Sequence, residues 1–375
     1  MRILVLNYEY PPLGGGAGLV SQSLAELYAR RGHSVDVMTM GFGGLPARET
    51  HRSIRITRVP AWRKRAATCE THEMVSFVAS GLPRLILKLR RETPDVIHCH
   101  CAIPTGLLAH AATRFSRTPY VVTAHGSDVP GYNPDRFTCE HRITPPVLRI
   151  IMKGASRVTA PSRYLCALIA EKVGPVPVDH VPNGIHPGEP GAPRKTNGIL
   201  MAGRFLRRKG FQYVLQALKD IDEGFEVHIA GDGPLREELH RRAAELDSRV
   251  TFHGWLAHDS QELRSLYDRC AILCLPSEKE NASMALLEGM KTGMAVIASD
   301  AAGCPEIVGD AGLLVPPQNV SMLRDALEKL LSSEETVRMY GRRARLRVTE
   351  MFDWEVIGSR YLDLLQQVAN RGRGA

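Results

Sequence analysis

Two stretches far apart in the sequence carry side chains suited to a single ligand. Gly203-Arg204-(x)4-Lys209-Gly210 supplies two cations, and Glu280-(x)7-Glu288 supplies two carboxylates. The planar fork of Arg204 and the point charge of Lys209 suit a diphosphate. Carboxylates accept hydrogen bonds from sugar hydroxyls. A ligand bearing both groups, a nucleoside-diphosphate sugar, would use all four. The competing readings are a solvated basic loop, since Lys209 closes the run Arg207-Arg208-Lys209, and a buried Arg as the partner of Glu288.

Three further constellations bear on the same chemistry. Gly14-Gly15-Gly16 lies between an apolar run and a helical pattern, so Gly15 and Gly16 would offer bare backbone N–H groups to an anion at a helix N-terminus. The dinucleotide fingerprint fails: counting G-x-G-x-x-G from Gly14 ends on Leu19, and from Gly16 on Ser21. His125 follows the strand-like run Tyr120–Ala124, where a neutral imidazole could bond a sugar hydroxyl. Asp128, in the same loop, is a candidate acceptor contact. His98-Cys99-His100-Cys101 imitates a metal site, but alternation along a strand puts the two His on one face and the two Cys on the other, so no metal is expected. Asp220-x-Asp222 closes a helical pattern and reads as a solvated turn.

These residues need a scaffold of alternating strands and helices. Ile3–Leu6, Val35–Met40, Asp95–His98, Tyr120–Ala124 and Arg157–Ala160 read as strands, with a helix over 18–30. The pattern restarts near Gly198, with strands Ile199–Ala202, Phe225–Ala230, Val250–His253, Ala271–Leu275 and Ala295–Ala298. Alternation of this kind implies mostly parallel sheets covered by helices. Arg204 and Lys209 then follow a strand end, where open sheets bind ligands. A helix starting near Ser283, its hydroxyl serving as cap, puts Glu280 in the preceding loop and Glu288 on the first turns. The Pro- and Gly-rich stretch from Val181 to Pro193 reads as a linker, and an amphipathic helix follows Trp354.

The 375 residues suit two α/β domains, and a net charge of +8 favours anionic partners. Aromatics amount to 6%, with no basic run interleaved among them, so nucleic acid is not expected as a partner. The 8 cysteines show no framework spacing and read as buried thiols of a cytoplasmic protein. Within Leu82–Arg91, Leu82, Leu85, Ile86 and Leu89 form a stripe flanked by Arg84, Lys88 and Arg91. With Arg63-Lys64-Arg65 it could meet an anionic membrane peripherally, on its inner face; a surface helix packing its stripe inward is the other reading.

Taken in order, the motifs resemble those of the retaining GT-B enzymes of glycosyltransferase family 4. The resemblance runs through Gly14-Gly15-Gly16, Gly32-His33-x-Val35-x-Val37 and His125-Gly126-Ser127-Asp128. It continues through Val181-Pro182-Asn183-Gly184-Ile185, Gly203-Arg204 with Lys209-Gly210, Gly231-Asp232-Gly233-Pro234, and Glu280 with Glu288. It implies two Rossmann-like, doubly wound domains facing across a cleft: an acceptor domain over 1–182, a donor domain over 183–353, and a helix over 354–371 crossing back. It also implies a sugar moved from a nucleoside diphosphate to the hydroxyl of a glycan, glycolipid or small polyol, in cell-envelope glycan biosynthesis, with no metal and no cofactor. Arg204 and Lys209 would hold the diphosphate with Gly15 and Gly16, and Glu288 the ribose. Glu280 would touch the sugar, His125 would stand beside its anomeric region, and Leu256 would lie near the base. Where the family often has Phe-Gly, this chain has Ala282-Ser283, leaving the N–H groups of Met284 and Ala285 to reach phosphate and sugar. Two other readings share the fold: a nucleotide-sugar epimerase, and a non-catalytic nucleotide-sugar-binding subunit. Acceptor contacts are expected from loops 41–70 and 129–142.

Overall fold

A computed structural model describes residues 1–66, 68–132, 140–188, 196–222 and 224–373. Residues 133–139 of the expected acceptor loop and 189–193 of the expected linker lie outside the described residues. The chain divides into two compact units, Met1–Gly184 with Trp354–Ala375, and Ile185–Asp353.

The first unit holds β1 (Arg2–Leu6), β2 (Ser34–Met40), β3 (Arg48–His51), β4 (Ile54–Val59), β5 (Val96–His100), β6 (Tyr120–Thr123), β7 (Arg157–Ala160) and β8 (Asp179–His180). They form one sheet in the order β3-β4-β2-β1-β5-β6-β7-β8. Only the β3–β4 pairing is antiparallel. Ile3–Leu6 and the whole of β5 are buried, as parallel strands covered on both faces must be. The direction of winding reverses between β1 and β5. Such a reversal opens a crevice at the carboxyl ends of the two strands, the usual ligand position in open α/β sheets.

The second unit holds β9 (Thr196–Ala202), β10 (Glu226–Ala230), β11 (Val250–Gly254), β12 (Cys270–Leu275), β13 (Ala295–Ser299) and β14 (Leu313–Val315). Its parallel sheet runs β11-β10-β9-β12-β13-β14, so its reversal lies between β9 and β12. β12 and β13 are buried along their full length and build the core with Phe211, Leu215 and Leu287.

The helix Trp354–Arg373 belongs to the first unit because of what it buries. Trp354, Ile357, Tyr361, Leu365 and Val368 recur at helical spacing and are all 3% exposed or less. The helix lies on Gly16–Arg30: a Cβ on Gly358 would stand 2.3 Å from Leu27 Cδ1. Trp354 also packs on Gly184, where a Cβ would fall 2.5 Å from the indole, so only glycine fits at the end of the Pro-Asn-Gly stretch. In the second unit Ile185 N donates to Phe352 O at 2.7 Å.

In the helix Thr71–Glu92, Leu85 and Leu89 are buried and Leu82 and Ile86 pack against the core, so the stripe faces inward. Arg63 departs from the expected basic surface. Its side chain is fully enclosed and donates to the carbonyls of Tyr8, Arg65 and Ala66, while Lys64 and Arg65 stay exposed. Asp220 pairs with Arg324. Among the described residues all seven cysteines are free, and no helix is long and apolar enough to cross a membrane.

Candidate active site

In the second unit the site is built from glycines that permit backbone to touch backbone. Gly203 (φ +152°) directly follows β9, and a Cβ on Gly231 (φ +149°) would fall 1.9 Å from the Gly203 carbonyl oxygen. Gly203 N donates to Ala230 O at 2.9 Å, and Phe205 N to Asp232 O at 2.9 Å. The Gly-Asp-Gly-Pro turn therefore serves as the support of the loop that carries Arg204 and Lys209. On its other side the loop is fastened to the segment after β12. Glu278 N donates to Arg208 O at 2.8 Å, and a Cβ on Gly210 would meet Pro276 O at 2.4 Å.

Those contacts bridge the β9/β12 reversal, and one ion pair completes the bridge. The Lys209 ammonium donates to Oε1 of Glu280, with the two side chains 17% and 10% exposed. Lys209 Nζ also lies 3.9 Å from where a Cβ on Gly203 would stand. Arg204 is exposed in the same loop. Glu280 is held by its backbone too: its carbonyl accepts from Gly303 N at 2.8 Å, and a Cβ on Gly303 would stand 1.7 Å from Asn281 O. Cys304, next along, is buried, which pushes its thiol up to about 12 with Glu280 adding to the shift.

Glu288 sits on the helix Met284–Lys291 with its side chain 15% exposed. Its partners are not a buried Arg. Lys291 Nζ lies 2.7 Å from Oε2, and His258 Nε2 lies 3.6 Å from Oε1. Leu256 packs against the core beside the exposed Trp255, in the loop after β11 that also carries His258. Ser283 does stand at the N-cap position with extended backbone, but its hydroxyl makes no capping hydrogen bond, contrary to the sequence expectation. Met284 and Ala285 open the helix, at the end whose backbone N–H groups have no partner within the helix.

In the first unit the glycine loop fills the carboxyl end of β1. Gly14 (φ +82°) and Gly18 are packing glycines: a Cβ on either would fall 2.4 Å or less from Glu9 atoms. Gly14 N donates to Ala66 O at 2.8 Å, inside the turn that Arg63 holds. Gly15 differs. A Cβ there would meet nothing within 4 Å, and it immediately precedes the helix Gly16–Arg30. The helix thus begins two residues before the expected 18.

His125 follows β6, on the side of β5 away from β1. Its ring lies against His100, with Nε2 3.0 Å from His100 Nδ1. Burial holds His125 down to about 4 although Asp128 pulls it up, so the ring is neutral at pH 7. Asp128 is occupied by the chain itself: Oδ1 accepts from the N–H groups of His125 and Gly126 at 3.0 Å each, and Oδ2 from Ala102 N at 2.7 Å. Its evident work is to fix the loop that presents His125. The His-Cys-His-Cys tetrad is buried within β5 and the residue after it, and its two imidazoles lie with centroids 4.3 Å apart, tilted by 40°. Sequence reading missed His258 and the turn at Gly303, took His100 only as part of a metal mimic, and placed Arg63 in a basic surface run. The Cys304-Pro305 step after β13 was the one available hint of that turn.

Each unit is thus a Rossmann-like parallel sheet with polar residues gathered at its reversal, and the whole fold is GT-B. The comparisons with known proteins agree. Residues 14–189 match the family described as Glycosyltransferase Family 4, and residues 196–333 match Glycosyl transferases group 1. The chain belongs to glycosyltransferase family 4 and is a glycosyltransferase. It is 28% identical to N-acetyl-alpha-D-glucosaminyl L-malate synthase of Bacillus anthracis, over 94% of this chain and 93% of that one. Among solved structures it resembles sucrose-phosphate synthase of Thermosynechococcus elongatus, with TM-score 0.80, 22% identity and 98% of each chain covered. It also resembles Anabaena HepE in complex with UDP and glucose, with TM-score 0.75, 19% identity, and 98% of this chain and 100% of that one covered.

Proposed function

We propose that this enzyme moves a hexose from a nucleoside-diphosphate sugar to an acceptor hydroxyl with retention of anomeric configuration and without a metal. The observation that carries the reading is the Lys209–Glu280 pair bridging the β9/β12 reversal, with Arg204 in the same loop. Arg204 and Lys209 would neutralise charge building on the departing diphosphate, work otherwise done by a divalent cation. Glu280, pre-set by the ammonium, would accept from a sugar hydroxyl, and Glu288, held between Lys291 and His258, from the ribose. Met284 and Ala285 N–H groups, with Gly15 and Gly16 in the first unit, would complete the phosphate contacts. His125, neutral, would bond the sugar near its anomeric carbon. Retention follows if the acceptor attacks from the face the diphosphate leaves, its oxygen taking the proton. The donor class is supported by the UDP and glucose in the HepE complex.

The test is incubation with UDP-, GDP- and ADP-sugars and a panel of polyol and glycan acceptors, with and without EDTA, reading product anomers by NMR. Transfer with retention, undiminished by EDTA, is expected. Epimerised donor without transfer would make the enzyme an epimerase instead, and donor binding without turnover or hydrolysis a binding subunit. A peripheral contact with an anionic membrane is supported by the first unit's exposed Trp62, at 74%, beside exposed Lys64 and Arg65 and near the exposed Val75. Trp62→Ala with Lys64→Glu should reduce sedimentation with phosphatidylglycerol vesicles.

A further inference from the structure

The imidazoles of His98, His100 and His125 lie in a row, the first two buried and the third half-buried, that the proposed reaction does not by itself call for. His98 and His100 have centroids 4.3 Å apart, and His100 and His125 5.3 Å. His98 is satisfied on both sides: Nδ1 meets the Tyr28 hydroxyl at 3.3 Å, and Nε2 meets Thr123 Oγ1 at 2.8 Å. The Thr123 hydroxyl continues to Thr159 at 2.7 Å. His100 is different. It is 0% exposed, its Nδ1 faces His125 Nε2 at 3.0 Å, and its Nε2 has no hydrogen-bond partner among the described residues.

That asymmetry decides the direction of the shared hydrogen bond. Two neutral imidazoles joined by one bond need one donor and one acceptor. If His125 donated from Nε2, His100 would carry its proton on its own Nε2, a buried N–H with no acceptor. If His100 donates from Nδ1, what is left idle is a ring lone pair. An orphaned buried N–H is the rarer failure in native proteins. We infer that His100 is a positioning residue: its Nδ1–H donates to His125 Nε2 and thereby holds His125 as the Nδ1–H tautomer. Both rings are kept neutral by burial, with His98, Tyr28, Tyr361 and Asp128 the other titratable groups packed around them. The consequence for catalysis rests on the role proposed for His125. The nitrogen turned from His100 then always brings a proton to its partner, so the sugar oxygen finds a donor.

The tautomer can be read without any ligand. Protein labelled with 15N-histidine should show His125 protonated at Nδ1 and bare at Nε2 in long-range 1H–15N spectra. In His100→Asn the amide nitrogen stands where Nδ1 stood, so the His125 pattern should persist and kcat stay within roughly threefold. In His100→Leu the pattern should mix, and kcat should fall roughly tenfold with donor KM little changed. An Nε2-protonated His125 in the wild type overturns the inference. So does a His100→Leu spectrum identical to the wild type. His125→Ala separates the two assignments: unchanged kcat there removes His125 from the sugar, while the wild-type Nδ1–H signature still upholds the lock.

Discussion

Replacing Lys209 with Ala strikes the reaction and the fold through the same atom, and the two effects can be separated. In the proposed donor complex the ammonium would face the diphosphate, from a position only 17% exposed in the free enzyme. Two unit charges about 4 Å apart at an effective dielectric of about 20 interact by roughly 4 kcal/mol. Loss of a comparable electrostatic donor costs on the order of 2–4 kcal/mol of transition-state stabilisation. That converts to a fall in kcat/KM of about 30- to 900-fold. In the free enzyme the same change strands the Glu280 carboxylate, 10% exposed, without its cation. Leaving a charged group so placed costs about 1–3 kcal/mol of folding stability. Adding Glu280→Gln removes the stranded charge and should recover most of that loss, while leaving catalysis poor. The assay is steady-state kinetics with the preferred donor beside urea melts of the two single variants and the double variant. A kcat/KM within threefold of wild type for Lys209→Ala would refute the role assigned to the ammonium. A double variant no more stable than Lys209→Ala would refute the account of the pair.

Three other outcomes follow from the geometry. Gly303→Ala puts a methyl 1.7 Å from Asn281 O, so the Glu280 turn must move; a loss of roughly 2 kcal/mol or more in urea melts is expected, with weaker donor binding by calorimetry. Glu288→Gln should raise donor KM roughly 5- to 20-fold with kcat nearly unchanged, because ribose contacts act alike in ground and transition states. Burial holds His98 down to about 3 in the folded chain, against about 6.5 unfolded. The unfolded state therefore binds more protons between these values, and stability falls as pH drops through 6.5 toward 3. At pH 4.5 this one ring accounts for about 3 kcal/mol. Urea melts between pH 7.5 and 4.5 should show the decline, and His98→Gln should lessen it by this share, His100 and His125 supplying the rest.

The parts legible in the sequence were those whose signal is local. Buried parallel strands such as Ile3–Leu6 and Cys270–Leu275 read as apolar runs, and Arg204, Lys209, Glu280 and Glu288 follow strand ends that those runs mark. The hairpin β3–β4 was hidden because its inward face is not wholly apolar. Ile54, Ile56 and Arg58 all point inward, and Arg58 is paid for by Pro46 O and by Glu49 at 2.7 Å. β3 itself is a polar edge strand with hardly a buried position. What escaped altogether was long-range: Gly303 supports Glu280 from 23 positions away, His258 reaches Glu288 across two strands, and Arg63 turns inward only because Tyr8 and Ala66 carbonyls await it. No periodicity encodes such meetings. Conversely, the His-Cys-His-Cys tetrad drew attention as a metal mimic, and its meaning emerged only when β6 brought His125 alongside His100.

The most direct measurement is a crystal structure of this enzyme with the nucleoside diphosphate that most raises its melting temperature. The diphosphate should lie at the carboxyl ends of β9 and β12, its oxygens within hydrogen-bond distance of the Arg204 guanidinium and the Lys209 ammonium, and its ribose on Glu288. A diphosphate seated elsewhere, with Lys209 still bonded only to Glu280, would contradict the account.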